Sequence, residues 1–294
     1  MRFRFKQVDV FTETAFHGNP VAVVFGADRL TDSEMQSIAA WMNLSETAFF
    51  QSSSRADYRL RIFSPRSELP FAGHPTVGSA HAILEADGKL VGRRELVQEC
   101  AAGLIPIRVD RNGDILARVP TPKILAQCVD ASALRDSLGD VAWTDPMVVD
   151  VGPRWMVVRL DSFEDLYGHS PVMPRLIELC RTVDAVGVNL YAVDADNSVH
   201  VRSYAPALGV DEDPVCGSGN AAVATHVRAS GLYGVVGTEY VARQGAALGR
   251  DGRVRVRLDG IDVFIGGKCL TAIDGQINGT MLQSPPRDAA EIAG

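Results

Sequence analysis

Two short segments hold most of the residues that could do chemistry. Ala72-Gly-His-Pro-Thr76 and Cys216-Gly-Ser-Gly-Asn220 each lead out of a proline-punctuated loop into a stretch rich in Ala and Val that reads as a helix. The first turn of a helix leaves N–H groups unpaired and carries roughly half a positive charge. Glycine lets a ligand approach that backbone closely, so a carboxylate or enolate-like oxygen is the natural guest. One such opening alone reads as ordinary capping; two at equivalent positions, centred on Gly73 and Gly217, point to a shared cleft. Glu46, in Asn43-Leu-Ser-Glu-Thr-Ala-Phe-Phe50, opens an apolar strand. Lost hydration there should lift its pKa toward the range of a general acid/base, unless it is a strand-end charge facing water.

Other candidates each carry a plainer reading beside the functional one. Asp213 stands in the acidic run Asp211-Glu-Asp-Pro214, five residues before Ser218; such a run is by default a solvated loop. His74 occupies the position that matches Ser218, and a lone histidine is more often a capping or packing residue. Asn19, in Phe16-His-Gly-Asn-Pro20, suits an Asx turn. Cys216 precedes Gly217, apart from the other cysteines.

The elements that must position these groups come in two similar sets. Arg61, Phe63 and Pro65 correspond to Arg202, Tyr204 and Pro206, each 141 residues later, and Gly73 corresponds to Gly217, 144 later. Val8-Asp9-Val10 recurs as Val149-Asp150-Val151, Thr47–Phe50 as Val188–Tyr191, and Glu95-Leu-Val97 as Glu239-Tyr-Val241. Matches in constant order at nearly one offset describe an internal duplication, too long-period for a solenoid. Glu46 pairs with Gly187 in this register, so the acid breaks the repeat, as a specialised group would. Short strands are predicted at Gln7–Phe11, Pro20–Phe25, Glu46–Phe50, Tyr58–Phe63, Glu95–Glu99 and Ile105–Asp110. Helices are predicted at about Asp32–Met42, with Thr31 and Glu34 as a capping box, at Pro75–Asp87, at Arg175–Thr182 and from near Gly219. The expected fold class is α+β: two pseudo-symmetric domains, 1–140 and 141–280, each a barrel-like, mostly antiparallel sheet around a central helix, with 281–294 as a flexible tail.

Composition narrows the function. The 294 residues are 46% hydrophobic and 22% charged with net charge −7, which excludes a disordered or coiled-coil chain and gives no global pull toward nucleic acid or anionic lipid. No apolar run approaches the ~20 residues that span a bilayer, and the alternating start Met1-Arg-Phe-Arg-Phe-Lys6 lacks a signal peptide's apolar stretch. A cytoplasmic protein is expected. Cys100, Cys128, Cys180, Cys216 and Cys269 are odd in number and widely spaced, so disulfide and zinc frameworks are not expected, and the four besides Cys216 read as buried structural thiols. P-loop, zincin, EF-hand and complete dinucleotide-binding motifs are all missing. By elimination, chemistry without cofactor or metal is favoured.

Taken together, Val8–Phe11, Phe16–Val23, Asn43–Phe50, Arg61–Ala80, Asp213–Ala222, Arg243–Arg250 and Gly266–Gly267 resemble the PhzF-like isomerase family of phenazine biosynthesis, within the diaminopimelate-epimerase fold. The resemblance covers essentially the whole chain and implies an active site between two domains and a homodimer. It puts the catalytic carboxylate on Glu46, supporting polar residues on His74, Asp213 and Ser218, and the glycines before them at Gly73 and Gly217; Asn19 and Cys216 are expected to join Gly73, Gly217 and Ser218 in binding the substrate. It also implies a proton shift on a small carboxylate such as a dihydro-hydroxyanthranilate. One departure stands out: Cys216 falls where the phenazine enzymes usually carry threonine. Related racemases and epimerases use two thiols at such helix ends, but the counterpart here is Ala72. Racemisation through Cys216 and a non-catalytic metabolite-binding protein are the competing readings.

Overall fold

The computed structural model describes residues 2–278 apart from 87, 89, 127 and 128. The expected tail at 281–294 and Cys128 therefore lie outside the described residues. The first half supplies β1 (Arg2–Val10), β2 (Asn19–Val24), β3 (Thr47–Gln51), β4 (Tyr58–Phe63) and β5 (Glu68–Leu69). It continues with β6 (Glu95–Cys100), β7 (Gly103–Val109), β8 (Ile115–Arg118) and β9 (Lys123–Ala126). Helices α1 (Asp32–Met42) and α2 (Gly73–Ala86) are interspersed, and α3 (Ala131–Leu138) follows. The second half begins with β10 (Trp143–Asp150), β11 (Arg154–Leu160), α4 (Phe163–Gly168), α5 (Met173–Thr182), β12 (Gly187–Val193) and β13 (Val199–Ala205). Then come β14 (Val210–Asp213), α6 (Gly217–Ala229), α7 (Tyr233–Val236), β15 (Glu239–Gln244), β16 (Gly252–Asp259), β17 (Asp262–Gly267) and β18 (Cys269–Asn278).

Pairing shows the duplication more plainly than sequence identity does. β1–β2 and β10–β11 are antiparallel, β2–β3 and β11–β12 parallel, and β3–β4 and β12–β13 antiparallel. The scheme continues in step through the parallel pairs β4–β6 and β13–β15 and the antiparallel runs β6–β7–β8 and β15–β16–β17. The ninth strands are exchanged: β9 pairs with β10, whereas β18 returns to pair with β1. The eighth strands, β8 and β17, pair with each other and join the sheets into one. The fold is α+β, as expected, with each curved sheet wrapped on a nearly encased helix. From Gly73 through Ala80 every residue of α2 is buried, and α6 is buried from Gly219 to Val227.

Local sequence explains most element ends. Thr31 Oγ1 accepts the Glu34 N–H while the Glu34 carboxylate takes the Thr31 N–H, the anticipated capping box, and Asn43 closes α1 at φ 53°. Strands covered on both faces are buried almost throughout: all seven residues of β13 are, and six of seven in β12. One core encloses α2 and α6 together, from Val8, Val77 and Ile83 to Val201, Ala222 and Val256. Outer cores lie under α1 (Met35, Ala39, Phe49) and under α3 and α5 (Leu134, Leu138, Leu176, Leu190).

That second outer core reaches across the expected division at 140/141. α3 buries Leu134 and Leu138 against α5 and β12, so it packs with the second half although it precedes the boundary. The exchange of β9 and β18 means that neither stretch of sequence is a self-contained unit.

Candidate active site

α2 and α6 meet at their first turns. A Cβ on Gly73 would meet Gly217 Cα at 3.5 Å, an ordinary contact, whereas one on Gly217 would crowd the His74 backbone nitrogen at 3.2 Å, so the glycine at 217 eases the approach of the two positive helix ends. Glu46 sits just before β3, at the edge of this junction, with 17% of its side chain exposed. His74, on the first turn of α2, places Nε2 at 3.3 Å from Glu46 Oε2. Neither atom reaches solvent or has a hydrogen-bond partner of good geometry among the described residues. Buried polar groups are nearly always satisfied, so two adjacent exceptions make this junction the candidate site.

The electrostatics follow from burial. Loss of hydration, reinforced by the negative charge of Asp213, lifts Glu46 to about 8. Burial draws His74 down to about 3, leaving a neutral imidazole at physiological pH. Asp213 is raised to about 6 by burial, against the hydrogen bonds it accepts.

Asp213 is therefore no solvated loop acid. Of its run, Asp211 is exposed and Glu212 forms a bidentate pair with buried Arg202 at 3.0 and 2.9 Å. Asp213 turns inward, its Oδ1 accepting from Asn19 Nδ2 at 3.1 Å and the Val215 N–H at 3.0 Å. Asn19 also donates to the Val215 carbonyl at 2.9 Å, so it ties the first half to the second instead of closing a local turn. Ser218, on the first turn of α6, accepts from the Trp155 indole N–H at 3.1 Å. Cys216 caps α6, its Sγ accepting the Gly219 N–H at 3.2 Å. Burial and the charges of Asp213 and Glu46 hold this thiol well above its ordinary pKa, overriding the helix end that would otherwise lower it. Thus Glu46, His74, Asp213, Asn19, Cys216, Ser218 and both glycines converge on one junction. Cys100 and Cys269, in β6 and β18, and Cys180, in α5, are buried free thiols.

Three residues went unnoticed in the sequence. Gln244 donates to the Asp213 carbonyl at 3.0 Å and accepts from the Cys216 N–H and Asn220 Nδ2 at 3.2 and 2.8 Å, cross-bracing the start of α6. Trp155 fills the space that a side chain at position 187 would need: a Cβ on Gly187 would collide with the Tyr204 carbonyl and come within 2.8 Å of the indole. This is why no second acid mirrors Glu46. Asp9, buried in β1, accepts the His17 and Gly18 N–H groups at 3.1 and 3.0 Å and shapes the turn before Asn19. Of these, Asp9 left a trace as the repeat mate of Asp150, and Gln244 lay unremarked in the stretch Arg243–Arg250.

Two cavities of about 470 and 370 Å³ lie elsewhere, and neither is lined by Glu46, His74 or Asp213. The candidate site is marked instead by the unpartnered Glu46 Oε2 and His74 Nε2, because volume alone supplies no proton donor.

The chain is similar in sequence and fold to known proteins. The profile of the PhzC-PhzF family, described as phenazine biosynthesis-like protein, matches residues 8–275. Antisense-enhancing sequence 1 of Schizosaccharomyces pombe is 39% identical, the alignment covering 92% of this chain and 97% of that one. Trans-2,3-dihydro-3-hydroxyanthranilate isomerase of Pseudomonas aeruginosa is 33% identical over 94% and 96% of the two chains. The crystal structure of a Bacillus anthracis phenazine biosynthesis protein of the PhzF family superposes with a TM-score of 0.80 at 25% identity, covering 95% and 99%. A hydroxyproline epimerase from Agrobacterium vitis shares the fold, at 14% identity with a TM-score of 0.65 over 94% and 91%.

Proposed function

The chain belongs to the phenazine biosynthesis-like family of isomerases, and from that premise we propose that Glu46 moves a proton between two carbons of a small unsaturated carboxylate. As a carboxylate, Glu46 removes a C–H proton from the substrate. The electron pair of that bond spreads through the adjacent unsaturation as a dienolate-like anion. Glu46, now protonated, returns the proton to the far carbon and the double bond shifts, with no atom gained or lost. First-turn N–H groups of α2 and α6, with Ser218 Oγ, face the developing negative charge. Neutral His74 orients the substrate by hydrogen bonding, and Asp213, held by Asn19, keeps the acid's proton affinity high.

The single observation behind this reading is the dry, unpartnered pair Glu46 Oε2 and His74 Nε2, 3.3 Å apart. Racemisation through Cys216 is less well supported: its repeat mate is Ala72, and its sulfur already caps α6 as a thiol pushed far above its usual pKa.

The test uses trans-2,3-dihydro-3-hydroxyanthranilate and related unsaturated carboxylates in D2O, following deuterium entry and product formation. Glu46→Gln keeps the shape and is expected to lower kcat/KM by roughly 10²–10⁴-fold. Near-normal turnover in that variant would overturn the assignment. For the unaltered enzyme, kcat/KM should climb with pH as the carboxylate forms and level off above about 8. A flat profile between pH 6 and about 9 is incompatible with Glu46 as the base.

A further inference from the structure

The cavity of about 370 Å³ is built unlike the reaction centre. Its floor is a cluster of three rings: Phe163 packs on Tyr167 and His200 with centroids 4.7 and 4.6 Å apart, the latter edge-on. The cluster is locked in place. Tyr167 Oη lies 3.0 Å from His200 Nδ1 and Ser198 Oγ 3.2 Å from His200 Nε2, so both ring nitrogens are engaged. Phe163 and Tyr167 remain half exposed and offer ring surface to a guest.

Two arginines edge this floor. Arg250 is committed, donating to the carbonyls of Phe16 and Gly18 at 3.0 and 3.1 Å. Arg243 is exposed and has no carboxylate within 4 Å and no hydrogen-bond acceptor among the described residues. It also lines the neighbouring cavity of about 470 Å³ and so divides the two. The one acid on the wall, Asp251, is already gripped by Arg253 through Nε and Nη2 at 3.3 and 3.0 Å. The combination is a rigid aromatic face beside an uncommitted guanidinium, whose planar fork suits a carboxylate.

We propose that this cavity is a second ligand site, for a flat aromatic carboxylate that rests on Phe163 and Tyr167 and pairs with Arg243. Its back wall is Gln244, whose side-chain amide holds Asp213 and Cys216 in the reaction centre, so an occupant touches the brace of the catalytic groups.

Calorimetric titration with sodium benzoate tests the site without relying on turnover. Benzoate should bind more tightly than cyclohexanecarboxylate or benzamide. Arg243→Met should weaken it about tenfold, the loss of one charge-assisted pair, and Phe163→Leu should weaken it as well. Ser218→Ala should leave the affinity unchanged, and the His200 ring-proton NMR signal should shift on titration in Ser218→Ala as in the unaltered protein. Unchanged affinity in Arg243→Met, an affinity that falls with Ser218→Ala, a still His200 signal, or no binding at millimolar benzoate would each overturn the proposal. Because these readouts do not involve the isomerase assay, failure here is distinguishable from failure of Glu46 as the base.

Discussion

Glu46 and Asp213 are two acids held close together in a largely dry junction, and that arrangement has a thermodynamic consequence. The ordinary carboxyl of Glu46 titrates near 4.5, whereas in the folded protein it titrates at about 8. The native state thus binds this proton more tightly than the unfolded chain does. Stability is therefore unaffected by this group below about pH 4.5, falls as pH rises from 4.5 to about 8, and stays at that lower level above the window. Removing the titration with Glu46→Gln should therefore stabilise the protein at pH 8, on the order of 1–3 kcal/mol, and have little effect near pH 4.5. Denaturant unfolding of both proteins at the two pH values measures the difference. Equal stability of the variant and its parent at pH 8 would show that Glu46 is better solvated than its burial indicates. A stabilised but inactive Glu46→Gln would be a direct case of a site maintained at the expense of stability.

At the level of elements, the turn between β1 and β2 is held from both sides. The Asp9 carboxylate gathers the N–H groups of His17 and Gly18, while Arg250 gathers the carbonyls of Phe16 and Gly18 from the other half of the chain. Phe16 itself stands at φ 69°, a conformation that a bulky residue keeps only when its surroundings impose it. The next residue but two, Asn19, reaches Asp213. Arg250→Met should release the turn, loosen Asn19 from Asp213 and lower kcat/KM by roughly tenfold, the effect of a modest misplacement. Thermal unfolding should barely change, because partly exposed polar contacts contribute little. Loss of folding without loss of turnover in the remaining soluble fraction would assign Arg250 a purely structural role.

For the whole molecule, the exchange of β9 and β18 decides cooperativity. Without β18, β1 faces an open edge, and without β10, β9 has no partner. The core around α2 also continues into the core around α6. A fragment spanning 1–126 should fail to unfold cooperatively, although its length falls within the range of ordinary domains. Mixing it with the complementary fragment should restore a sharp transition. A cooperative melt for 1–126 alone would show that the first half does not need the strand it receives.

Much of this was legible in the residues themselves. The Thr31–Glu34 capping box and the helix openings at Gly73 and Gly217 rest on interactions a few residues long, which local chemistry determines wherever the chain lies. The 141-residue offset likewise announced two equivalent sets of strands, because equivalent pairing demands equivalent burial patterns. What sequence could not reveal were contacts between residues with no local reason to meet. Gln244 braces Cys216 from 28 positions away, Trp155 fills the gap at Gly187, and Asn19 bonds Asp213 across 194 residues. Exchange of the last strands was equally invisible, since β9 and β18 carry the same pattern whichever β1-like edge they join. Residue type set the chemistry that Glu46 can perform; only packing of the two halves decided that it would meet His74 with its hydration shell removed.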